Sequence, residues 1–226
     1  MPPPDEITVP TETGPGRLLV SRASSPAGSP WAVLWLGHGA GGGAGSRDLA
    51  ALAAGLPRHG VTVVRHEQPW VVAGKRIAPR PAALDAAWLA AAPAVAELAG
   101  ATPLVVGGRS AGARVACRTA GAVGAAAVLC LAFPLHPPGR PERSRSEELL
   151  TPRVPVLAVQ GTRDPFGSAA ELRAVAHGAP AVEVLPVEGA DHGLRTARSA
   201  ALGQEETLER VTAETLRFLR TAAAPG

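Results

Sequence analysis

The sequence predicts a single α/β domain, a mostly parallel sheet of about seven to eight strands with helices on both faces and no large cap domain. Three observations carry this. Short apolar runs of strand length alternate with longer stretches whose apolar residues recur at helical spacing. No internal repeat or composition break divides the 226 residues, a length suited to one domain with its own core. Apolar residues make up 46% of the chain, which excludes global disorder despite 26 Gly and 23 Pro.

The elements follow in order. Residues 1–30 are rich in Pro, Ser and Thr; a hairpin over 7–11 and 17–21, turned at Gly14-Pro15-Gly16, is expected before an irregular stretch. The apolar run 32–36 is a buried strand. Ser46 suits a helix N-cap and Asp48 its first turn, and Leu49, Leu52 and Leu56 share one face up to Gly60. Residues 61–65 form the next strand, and 67–81 a long loop holding Trp70. Leu84, Trp88, Ala91, Val95 and Leu98 mark a helix that Pro93 should kink or split. A strand at 104–106, a helix at 110–119 and a strand at 126–132 follow. Residues 133–153 break the rhythm as a long loop with a short helix near 146–150. The strand 154–160, a capping box of Ser168 and Glu171, the strand 182–187 and a last helix carrying Leu208, Val211, Thr215 and Phe218 complete the chain.

Composition narrows the function classes. The net charge is +3, and all but Lys75 of the basic residues are arginines scattered among acidic ones. That is a solvated surface, not the clustered basic and aromatic pattern of a nucleic-acid binder. No basic-then-apolar secretion signal follows Met1, and the uncharged run 119–135 is broken by Gly121, Gly124 and Pro134, so no membrane span is expected. Cys117 and Cys130 lie in apolar runs without metal-type spacing, which points to a reducing cytoplasm and no disulfide framework.

The chemistry sits at Gly108-Arg109-Ser110-Ala111-Gly112, a G-x-S-x-G between a strand and a helix. So sharp a turn strains the serine and leaves no room beside it, which Gly108 and Gly112 supply. A serine hydroxyl needs a base and a group that orients the base. After the strand 154–160 comes Asp164, and after the strand 182–187 comes His192; both would meet Ser110 at the carboxyl edge of the sheet. Two backbone N–H groups should hold an oxyanion: Ala111, and a donor in Gly37-His38-Gly39-Ala40-Gly41-Gly42-Gly43, assigned to Ala40 with Gly41 as alternative. His38 should brace that loop. Trp70, Phe133 and His136 are candidates to wall the pocket, with His38 and Gly41.

These residues carry a resemblance. Residues 37–48, 67–70, 107–114, 133–139, 161–166 and 189–193 make the chain resemble the α/β-hydrolase superfamily along nearly its whole length. More narrowly, it resembles the small lidless branch related to dienelactone hydrolases that includes testis-expressed and NSL-complex hydrolase-like proteins. The resemblance implies a hydrolase fold and an intact triad of Ser110, Asp164 and His192, and no particular substrate. Dienelactone hydrolases proper carry cysteine where this chain has Ser110.

The expected function is therefore a serine hydrolase acting on a small-molecule ester or thioester through an acyl-enzyme, with no cofactor, no metal, and neither nucleic acid nor membrane as partner. A non-catalytic, protein-binding scaffold on the same fold is the alternative. A second alternative is a dinucleotide-dependent enzyme, because Gly39-x-Gly41-x-x-Ala44 with Glu67 imitates a dinucleotide fingerprint. It leaves the ordered serine, aspartate and histidine unexplained.

Overall fold

The computed structural model describes residues 3–24, 30–197 and 201–223; residues 25–29 of the expected irregular stretch lie outside the described residues. The hairpin pairs β1 (Asp5–Val9) with β2 (Gly16–Ser21), and β2 runs antiparallel to β4 (Val61–Glu67). The strands β3 (Ala32–Gly37), β5 (Leu104–Arg109), β6 (Ala127–Leu131), β7 (Val156–Gly161) and β8 (Val182–Val187) lie parallel to β4. The sheet order is β1-β2-β4-β3-β5-β6-β7-β8.

Strands β3, β6 and β7 are buried on both faces, which is why their sequences are continuous apolar runs and not alternations. Within β3, Val33 and Trp35 enter one core and Leu34 and Leu36 the other. The first core lies under α3 (Pro81–Ala99), α4 (Ala111–Thr119), α5 (Ser146–Leu150) and α6 (Ala169–Ala176), which contribute Leu84, Trp88, Val115, Leu149 and Leu172. The second lies under α1 (Arg47–Gly55) and α7 (Gln204–Ala222), through Leu49, Leu52, Val211 and Leu219. The Trp35 and Trp88 indoles stack with centroids 3.6 Å apart and planes 7° from parallel. Such a pair adds about 0.5–1.5 kcal/mol beyond its buried area.

Several elements differ from expectation for identifiable reasons. The loop expected over 67–81 contains α2 (Pro69–Val72), started by a proline at the first helical position, where no N–H is needed. Helix α3 runs unbroken through Pro93, whose ring is exposed. The carbonyl it deprives of a donor belongs to Leu89, which is 39% exposed, so water can take that place. Helix α1 stops at Gly55; a 3₁₀ turn, Pro57–His59, follows, and Gly60 at φ 82° ends that turn. Ser46 occupies the N-cap position without a side-chain capping bond, whereas the Ser168–Glu171 capping box is complete. By length and hydropathy α3 could cross a membrane, with mean hydropathy 1.3. Here its Trp88, Ala91 and Val95 are buried against the sheet, and its Asp85 pairs with Arg118 of α4.

Strand β5 continues past its apolar run through Gly107 and Gly108 to Arg109, paired with β3 and β6. It therefore delivers the next residue to the carboxyl edge of the sheet, where β7 and β8 also end.

Candidate active site

Ser110 stands between β5 and α4 at φ 52° and ψ −111°, a conformation that costs a non-glycine residue about 1–3 kcal/mol. Three glycines hold it there. A Cβ on Gly108 would lie 2.5 Å from the Gly37 carbonyl oxygen, and one on Gly112 would overlap Gly37 as well. Helix α4 thus rests on the end of β3 at backbone-to-backbone distance. The Ser110 N–H donates to the Leu131 carbonyl at 2.9 Å, tying the turn to β6.

Ser110, His192 and Asp164 come together. Ser110 Oγ is 2.9 Å from His192 Nε2, and His192 Nδ1 is 2.8 Å from Asp164 Oδ2. An ionised carboxylate only accepts, so Nδ1 carries the proton and Nε2 is left to accept from the serine hydroxyl. Asp164 is buried at 4% exposure and fully occupied: Gln160 Nε2 donates to Oδ2 at 2.9 Å and the Phe166 N–H to Oδ1 at 2.8 Å. The Phe166 ring lies against the imidazole, with centroids 4.1 Å apart. The turn bearing His192 is shaped by Asp191, whose Oδ1 accepts from the Gly193 and Arg195 N–H groups at 2.7 and 3.0 Å. It passes so close to β7 that a Cβ on Gly161 would overlap the Ala190 carbonyl.

The facing side of Ser110 is made of backbone. A Cβ on Gly39 would sit 3.4 Å from the Ser110 Cβ, so the glycine loop runs directly beside the hydroxyl. Among the described residues, neither the Ala40 nor the Ala111 N–H donates to a protein acceptor. Buried His38 accepts from the Gln68 N–H at Nε2 (3.1 Å) and therefore donates from Nδ1 to the Gly39 carbonyl (2.9 Å). In a planar trans peptide that carbonyl and the Ala40 N–H point in opposite directions, so fixing one aims the other. Burial pushes the His38 pKa down, keeping the ring neutral.

Two hollows flank the turn. A cavity of about 570 Å³ opens between the glycine loop, the start of α1 and the His192 turn, lined by Gly41, Asp48, Arg109 and Gly193 among others. A narrow apolar pocket of about 10 Å³ lies on the other side, against His38, Ala40, Trp70 and Ala111. Two pocket expectations need correction. Phe133 is fully buried in the core, and His136 lines neither hollow. Their loop folds onto the Asp164 turn instead: the His136 N–H donates to the Phe166 carbonyl at 3.0 Å, and its ring reaches Glu171 at 3.1 Å. Glu67, the ribose ligand that the dinucleotide alternative requires, has its Oε2 paired with Arg17. Sequence reasoning did not assign Gln160 or Phe166, which touch the aspartate and the imidazole. The signal for Gln160 was a lone polar residue closing an apolar strand.

The family model described as an alpha/beta hydrolase domain matches residues 30–220. No curated protein matches the sequence. Among solved structures, an a/b serine hydrolase without lid from Xanthomonas campestris superposes with a TM-score of 0.77 at 17% identity, covering 100% of this chain and 98% of that one. An alpha-beta serine hydrolase homologue from Coxiella burnetii gives 0.75 at 17% identity, covering 97% and 99%. Est1E from Butyrivibrio proteoclasticus, with ferulic acid bound, gives 0.76 at 15% identity, covering 97% and 100%. At such identities these structures establish likeness of fold alone.

Proposed function

The chain belongs to the alpha/beta hydrolase domain family, and from that premise we propose that it is a serine hydrolase cleaving small ester or thioester substrates through an acyl-enzyme. One observation carries the reading: the unbroken chain of hydrogen bonds from Ser110 through His192 to Asp164, at 2.9 and 2.8 Å.

In the first step Ser110 Oγ attacks the substrate carbonyl while His192 Nε2 takes its proton. Asp164 holds the imidazole in the tautomer that can do so and stabilises the imidazolium that forms. The charge arriving on the carbonyl oxygen is met by the Ala40 and Ala111 N–H groups. The imidazolium returns its proton to the departing alcohol or thiol, leaving the acyl group on Ser110. Water, deprotonated by the same imidazole, then attacks the acyl carbonyl, and collapse releases a carboxylic acid and the free serine. Losing one oxyanion donor in such a site typically costs about 10²–10³ in rate.

Substrate size is read from the absence of a cap over the site among the described residues and from the cavity of about 570 Å³ at its rim. The bound ferulic acid of Est1E makes a feruloyl ester a natural first probe beside acetyl and butyryl esters and thioesters. A cytoplasmic location is proposed with it, supported by two free thiols, Cys117 and Cys130, whose Sγ atoms are 3.4 Å apart. A fluorophosphonate probe tests the function: the native chain should be labelled and the folded Ser110→Ala variant should not. Absence of labelling on folded native protein would remove the hydrolase reading and leave the scaffold.

A further inference from the structure

We propose that Arg109, the residue before the nucleophile, is a positioning residue that clamps the His192 turn to the first turn of α1 through Asp48; the proposal rests on the hydrolase reading above. Arg109 Nη2 donates to the His192 carbonyl at 2.7 Å, and its Nε stands 3.1 Å from Asp48 Oδ2. Asp48 is 2% exposed, and its Oδ1 accepts from the Leu49 N–H at 2.9 Å, which leaves Oδ2 turned toward the guanidinium.

The geometry closes a ring. Arg109 and Ser110 are neighbours on the chain; the side chain of one holds the backbone of His192, and the hydroxyl of the other meets its ring. Among the described residues, Arg109 is the one side chain from outside the turn that grips the backbone of residue 192. The other bonds that shape this turn fall on its flanks: the Gly193 and Arg195 N–H groups donate to Asp191 Oδ1, the Arg163 N–H donates to the Ala190 carbonyl at 3.0 Å, and Gln204 Nε2 donates to the Leu194 carbonyl at 3.0 Å. Asp164 and the Phe166 ring orient the imidazole, but neither holds the main chain from which it projects. The second hold fixes the distance from Nε2 to Oγ, and a misplacement of about 1 Å can cost roughly 10²-fold in rate. A planar guanidinium can face a carboxylate and a carbonyl together; a lysine ammonium at the same position reaches one of them.

The test uses the full chain. Arg109→Gln alone strands the buried Asp48 charge and so perturbs the fold. The decisive variant is therefore Arg109→Gln with Asp48→Asn, which removes both charges, alongside Arg109→Lys. Ester turnover per folded molecule should fall about 10–100-fold in the double variant, with KM changing far less than kcat, and Lys should restore part of it. The downfield proton resonance of His192 Nδ1–H should broaden or vanish in the double variant while the melting temperature stays near that of the parent. Wild-type kcat with a sharp resonance in the double variant would overturn the clamp. So would a loss confined to KM, which would make Arg109 a substrate-binding residue. The resonance is read without turnover: if the parent resists the fluorophosphonate, the hydrolase reading falls, and the NMR comparison still decides whether Arg109 orders the histidine.

Discussion

The two sides of Ser110 are built from different materials. On one side the groups that meet the hydroxyl and one another are side chains: His192, Asp164 and Gln160, with Arg109 gripping the histidine's carbonyl from behind. On the other side the groups that face the serine are backbone, the peptide beside Gly39 and the start of α4, and the His38 side chain fixes the direction of the first. The difference decides how each side fails. A side-chain site is destroyed by removing atoms. A backbone site is destroyed by adding them, because what it needs is closeness.

The largest effect should come from deleting atoms on the first side. Ser110→Ala or His192→Ala should lower ester turnover by about 10⁴-fold or more while circular dichroism stays that of the parent. Activity within tenfold of the parent would mean that the two sides do not share one reaction. The matching experiment on the second side adds a methyl group. In Gly112→Ala the new Cβ would come within 2.9 Å of the His38 carbonyl oxygen and overlap Gly37. On the proposed reading, which makes the Ala40 and Ala111 N–H groups the oxyanion donors, their separation should lower turnover about 10²–10³-fold, together with the melting temperature. An unchanged melting curve would show that α4 does not depend on its close approach to β3.

A smaller effect sharpens the account of the first side. Gln160→Leu strips a donor from Asp164 Oδ2 and leaves the Gly167 carbonyl without its partner at 2.6 Å. Urea unfolding should show a loss of about 1–3 kcal/mol, and turnover should drop less than for either deletion above.

The mildest test at neutral pH concerns the histidines behind the backbone side. Burial pushes both His38 and His66 down from 6.5, His66 to about 3. His66 lies wholly buried beside the indoles of Trp35 and Trp88, and the charge of a protonated His38 adds to its shift. An unfolded histidine binds its proton near pH 6.5, whereas folded His66 refuses it until about pH 3, so stability is complete above 6.5 and drains away as pH falls through that window. The slope from one such group approaches about 1.4 kcal/mol per pH unit. Chemical unfolding of the parent and of His66→Phe at pH 7, 6 and 5 should show the parent losing stability faster.

The same contrast explains what was legible in the sequence. Ser110, Asp164 and His192 each follow a strand in a set order, so one dimension suffices to find them. The glycine run announced the backbone side, but which peptide points inward depends on His38 gripping the Gly39 carbonyl, a fact of three dimensions. Phe133 and His136 were misjudged because a proline-rich loop beside a site reads as a wall, and here it folds back to brace the Asp164 turn. Pro93 could have been read better: it falls off the stripe of Leu84, Trp88, Ala91 and Val95, and a proline on the wet face of a long helix forfeits one bond that solvent replaces.

Ser110 also carries a consequence for how this chain would evolve. Its backbone angles, φ 52° and ψ −111°, are ones that glycine adopts freely. A laboratory screen that rewarded heat tolerance alone would drift toward glycine at this position and discard the hydroxyl. A serine there runs against the conformational preference of its own main chain, a cost that the proposed nucleophilic role would account for.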